Sequence, residues 1–76
     1  MKKFLNTFNV NEKGKIVKIF GSNQVKKRLF DLGFTKGCVI QLIKLAPFGD
    51  PMELNLRNYE LAIRKNEAKN ILMEIL

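Results

Sequence analysis

The chain is 76 residues long, with 14 lysines and arginines against 7 acids, a formal charge of +7, and no histidine or tryptophan. At this length one domain is expected, burying roughly 60–65% of its potential surface, so a deep catalytic cleft is hard to enclose. Without histidine the commonest neutral-pH general base and transition-metal ligand are gone, and no apolar run approaches the ~18 residues of a membrane span.

The charge is unevenly placed. Residues 1–28 carry eight basic side chains against Glu12 alone, whereas residues 29–76 carry six of each sign. A basic surface of this kind attracts nucleic acid, an anionic membrane or an acidic protein, or serves solubility only. Met1-Lys2-Lys3-Phe4-Leu5 has the charged opening of a signal peptide, but Asn6, Thr7, Asn9 and Asn11 interrupt any apolar core. Cys38 is the single cysteine and has no internal partner, so a cytoplasmic chain is expected.

Residues 1–13 are polar and asparagine-rich, and 1–7 read as an irregular lead-in, with Phe8 and Val10 packing onto the domain. Gly14 opens a strand, Lys15 to Phe20. In a flat strand Ile16 would share the wet face of Lys18, so a bend or bulge is expected there. Ser22 or Asn23 caps a helix from Gln24 to Leu32, with Val25, Leu29 and Leu32 on one face and Lys26 and Lys27 outside. Gly33 stops it in a left-handed cap, and Phe34 folds back on the last turn.

Thr35-Lys36-Gly37 makes a tight turn into a strand from Cys38 to Ala46. Gln41 and Lys44 fall on opposite faces of that strand if it is flat. Strong twisting, cover by another element, or an exposed patch through Val39, Ile43 or Leu45 would each account for this. Pro47-Phe48-Gly49-Asp50-Pro51 is a loop with an aromatic at its tip. Met52, Leu54 and Leu56 alternate with Glu53, Asn55 and Arg57, Asn58 pivots a hairpin, and Tyr59, Leu61 and Ile63 return. One helical turn over 64–69, with Asn66 a possible cap, precedes a last strand through Ile71, Met73 and Ile75. About five short strands, one short helix and one helical turn make a mainly β chain, a small bent barrel.

Little in this pattern supports catalysis. No phosphate loop is present, since Gly33 to Gly37 lacks the Gly-Lys-Ser/Thr ending, and Ser22 has no base to activate it. Glu53 and Glu60 are the only acids the hairpin brings close, and they read as surface charges. A binding module without catalytic residues, resident metal or cofactor is the expectation. Tyr59 is the only tyrosine, so a nucleic-acid stacking platform is poorly supplied.

The series Arg28-Leu29, Asp31-Leu32-Gly33-Phe34, Gly37 and Ala46-Pro47-Phe48-Gly49-Asp50-Pro51 resembles the ferrous-iron transport protein A family, FeoA. Gly14-Lys15-Ile16-Val17-Lys18-Ile19, Tyr59 to Arg64 and Glu67-Ala68 followed by Ile71 extend the likeness over residues 8–75; Asn58 replaces a usual glycine, and the asparagine-rich opening departs. The resemblance implies a single SH3-like barrel over 1–76 with a helix after the first strand. In that reading Leu29, Leu32, Gly33, Phe34, Gly37, Pro47, Gly49, Asp50, Pro51 and Tyr59 are structural. It also implies a cytoplasmic accessory of ferrous-iron uptake, working at the inner face of the membrane through the transporter FeoB, with Lys26, Lys27 and Phe48 as candidate contacts. The alternative is a small barrel that binds nucleic acid or acts in metal-dependent transcription regulation.

Overall fold

Two register shifts bend one antiparallel sheet around the core of this protein. The computed structural model describes Met1–Leu76. Its strands are β1 (Lys2–Phe4), β2 (Lys13–Ile19), β3 (Val39–Leu45), β4 (Met52–Leu56), β5 (Tyr59–Ile63) and β6 (Ile71–Ile75), in the spatial order β1-β6-β2-β3-β4-β5. Helix α1 (Asn23–Asp31) follows β2, and the single turn α2 (Lys65–Ala68) follows β5.

The expected bulge in the first long strand is present. Pairing of β2 with β6 shifts between Ile16 and Lys18, leaving Val17 as the extra residue. Ile16 therefore points into the core while Lys18 stays in water. A second bulge settles the apolar run of β3. Its register with β4 shifts between Leu42 and Lys44, so Gln41 opposite Asn55 and Lys44 opposite Glu53 share the outer face. Ile40 and Leu42 are fully buried, and Leu45 packs against the core from the same side. The extra residue, Ile43, removes the conflict without a covering element.

The lead-in is where the expectation fails. Residues 2–4 form a sixth strand against β6, and Leu5–Thr7 make one tight 3₁₀ turn. That turn drives Leu5 to full burial, and Phe8 follows it into the core. Val10, expected beside Phe8, is instead exposed. Gly14 lies within β2, one residue past its start, and the Phe8 ring rests on its backbone. A Cβ there would meet Phe8 Cζ at 2.9 Å and the Glu74 carbonyl oxygen at 3.0 Å.

The hairpin of β4 and β5 turns on two residues, Arg57 and Asn58, both with positive φ (48° and 71°). That pair is the geometry of a two-residue turn whose twist matches the strands. Arg57 thus belongs to the turn and not to the strand before it. In α2 the cap is not Asn66. The Glu67 carboxylate accepts the Arg64 backbone N–H at 3.1 Å, closing the turn on itself. Fifteen apolar side chains form the core, with no polar or charged residue buried among them. No helix is long and apolar enough to cross a membrane.

Candidate docking groove

Nine residues are too few for α1 to hold by itself, so its ends and one face are fixed from outside. Ser22 Oγ accepts the Val25 N–H at 3.2 Å and caps the start. At the other end the Phe34 N–H donates to the Leu29 carbonyl (3.0 Å) and the Gly33 N–H to the Phe30 carbonyl (2.9 Å). These two bonds define a Schellman end, and Gly33 supplies its left-handed residue at φ 101°. Leu29 and Phe34 enter the core, while Val25 and Leu32 pack on its rim. Phe30, on the opposite side of the helix, is left 64% exposed.

That exposed ring forms one wall of an open groove of about 570 Å³ between α1 and β2. Val17 and Ile19 from β2 give it an apolar floor, with the buried Phe34 ring beneath. Val17 reaches it because the bulge takes that residue out of the strand's alternation. Lys18, Lys26 and Lys36 stand around the floor, with Thr35 beside them. None of these three lysines is in an ion pair. An apolar trough ringed by free cations suits a segment of apolar anchors flanked by acids.

Of the candidate contacts, Lys26 lines this groove. Lys27 points away and pairs with Asp31 at 3.3 Å, one helical turn on. Phe48 stands at the tip of its loop, 99% exposed, and does not line the groove. Phe30, Val17, Lys18 and Lys36 were not singled out from sequence. The only available signal was Phe30 itself, an aromatic off the apolar face of the helix.

The remaining motif residues tie the elements together. Arg28 on α1 forms an ion pair with Glu67 on α2. Asp50 Oδ1 accepts the Lys65 N–H at 2.9 Å and so caps α2 from a distant loop, with Arg64 at 3.9 Å from its other oxygen. Pro47 and Pro51 flank that loop, which closes through Gly49 N–H to Ala46 O (2.7 Å) and Ala46 N–H to Pro51 O (3.1 Å); the Asp50–Pro51 bond is cis. Gly37, in its turn, donates to the Ile16 carbonyl at 2.8 Å. Tyr59 Oη donates to the Leu32 carbonyl at 2.9 Å, joining the hairpin to the end of α1.

No three His, Cys, Asp or Glu side chains converge on one point. Cys38 is buried beside Thr35, with Sγ 3.5 Å from Thr35 Oγ1 and 3.6 Å from the Gly33 carbonyl oxygen. Burial pushes its thiol up, but Thr35 and the Arg57 guanidinium outweigh that and hold it below the ordinary thiol value. Arg57 reaches the site by donating to Thr35 Oγ1 at 3.1 Å.

The FeoA domain family matches residues 4–75. An FeoA-like protein from Clostridium acetobutylicum is 39% identical and superposes with a TM-score of 0.92 over 99% of this chain and 87% of that one. The Fe(2+) transport protein A/Fe(2+) transporter FeoB fusion protein of Porphyromonas gingivalis is 26% identical over 72 residues. That stretch is 95% of this chain and 8% of the fusion, so the chain spans under a tenth of that relative's length. The fold alone recurs in the FeoA of Stenotrophomonas maltophilia solved with zinc, a procaryotic SH3 domain protein (21% identical, TM-score 0.80, covering 95% and 89%). It recurs also in a manganese-dependent transcriptional repressor (12% identical, TM-score 0.89, covering 99% and 42%). With the helix inserted after its first long strand, the barrel-like sheet and the match over nearly its whole length, this chain belongs to the FeoA family.

Proposed function

We propose that the protein is a non-catalytic accessory of ferrous-iron uptake that docks on the cytoplasmic part of an FeoB-type transporter. There it supports assembly or regulates GTP-dependent transport, and Fe²⁺ is the transporter's cargo. The observation that carries this reading is the fused relative, in which an FeoA-type chain and an FeoB transporter share one polypeptide. Fusion holds an FeoA-type domain and the transporter at high effective concentration, so a docking surface on such a domain lies within reach of the transporter. The groove between α1 and β2 supplies one. Its apolar floor and three free lysines fit an acidic segment of the transporter.

The test is capture of the FeoB-type transporter in detergent by the tagged full chain, comparing wild type with Lys26→Glu/Phe30→Ala, Lys27→Glu and Phe48→Ala. Capture by wild type and its loss in the groove variant support the reading. Capture unchanged in all variants assigns the contact to another surface. No capture by folded wild type overturns the function.

A further inference from the structure

A second surface, which shares Lys18 with the groove, lies on the outer face of the sheet, away from the core. Side chains paired across neighbouring antiparallel strands point to the same side. Lys2, Glu74 and Lys15 are such a row across β1, β6 and β2, and Phe4, Leu72 and Lys18 form the next. Lys13 continues the face beyond Lys15. Lys2, Lys13, Lys15 and Lys18 are all exposed, and none is in an ion pair. Glu74 is the only acid in these rows, and the α-amino group occupies it at 2.7 Å. That hydrogen bond, against a smaller effect of burial and with help from Lys2 and Lys15, holds the Glu74 carboxyl below the usual range.

The aromatic part of the face is equally specific. Phe4 and Phe20, each about two-fifths exposed, pack on one another with centroids 5.9 Å apart. Lys18 Nζ sits 5.1 Å from the centre of the Phe20 ring. The two rings thus make one apolar knob at the border of a basic plane. We propose that this face docks on the surface of an anionic phospholipid bilayer, with Lys2, Lys13, Lys15 and Lys18 over the headgroups and the Phe4–Phe20 knob at the acyl boundary.

The shape favours a bilayer over a nucleic-acid strand. The cations lie on two strands, Lys2 on β1 and Lys13, Lys15 and Lys18 on β2, on either side of β6, and the rings are spent on each other rather than standing apart as stacking platforms. The inference does not rest on the transporter, because a lipid surface needs no protein partner. It would hold the groove near any membrane-embedded protein.

Flotation of the full chain with protein-free vesicles tests it. Binding to phosphatidylcholine vesicles containing phosphatidylglycerol, weak binding to phosphatidylcholine alone, and release by salt are expected. At roughly fivefold per lysine near an anionic surface, Lys15→Glu/Lys18→Glu lowers binding at least about 25-fold. Phe20→Ser weakens it further. Lys27→Glu/Lys69→Glu makes the same charge change on α1 and just past the end of α2 and retains most of the binding. The proposal is overturned by no preference for the anionic vesicles, or by equal loss in both double variants, which would show net charge acting alone. Retardation of mixed-sequence single-stranded DNA without flotation would assign the face to nucleic acid instead. All variants alter exposed positions, and unchanged thermal melting confirms that they fold.

Discussion

The Tyr59 hydroxyl and the Leu32 carbonyl meet at 2.9 Å over Gly33, so the hairpin closes the same helix end that the glycine terminates. A Cβ on Gly33 would lie 2.7 Å from the Tyr59 oxygen and 3.3 Å from Leu56 Cδ2. Gly33→Ala is therefore opposed twice, by its φ of 101° and by the phenol. The expected loss is about 1–2 kcal/mol from the backbone alone, and more in the presence of Tyr59. Tyr59→Phe should lose only about 0.5–1.5 kcal/mol, since the freed carbonyl can take water. Urea melts of both single variants and the double variant test the link. A smaller Gly33→Ala penalty in the Tyr59→Phe background is expected, and strict additivity would show the two to be independent.

Leu5→Ala should destabilise the domain by about 2–5 kcal/mol, the range for truncating a fully buried leucine. Val10→Ala, five residues later on an exposed side chain, should change stability by less than about 0.5 kcal/mol. Equal melts for the two variants would mean that the first turn contributes nothing to the core.

Burial tends to raise Glu67, but Arg28, the Arg64 N–H and the nearby charges bring it below the ordinary carboxylate value. A group depressed on folding contributes stability that is whole above its unfolded value of about 4.3 and is lost as pH falls through the folded one. Wild type should therefore weaken more steeply than Glu67→Gln below that value, while being the more stable at neutral pH. Parallel acid profiles for the two would remove the Arg28–Glu67 pair from the account.

Cys38 has a lowered thiol pKa yet is only 5% exposed, and the second property governs its chemistry. Modification by a disulfide reagent should be slow in the native protein and should accelerate in proportion to urea-induced opening. Fast reaction in native buffer would show that the Thr35–Cys38 turn opens locally.

How far the residues alone disclosed this structure depends on the range of each interaction. The helix end was legible because Gly33 and Phe34 act within one turn, and the β2 bulge because Ile16 and Lys18 conflict within three residues. The hairpin was legible from the alternation on both sides of Asn58. β1 was not, since three residues carry no period and their partner strand begins at residue 71. The role of Asp50 was hidden for the same reason: the N–H it caps lies fifteen residues away. The groove joins a bulged valine to the outer face of a helix, and neither shows a partner locally. Lys26 was reachable as an exposed cation, but its neighbours were not.

The pairing of β1 with β6 has a topological consequence. Ile75 N–H donates to the Met1 carbonyl at 2.8 Å and Leu76 N–H to that of Lys13 at 3.0 Å, so residues 1 and 76 leave the fold side by side. A tether at either position would emerge from the same corner. Joining them by a short linker and cutting at the exposed Phe48 tip should yield a circular permutant with the same sheet.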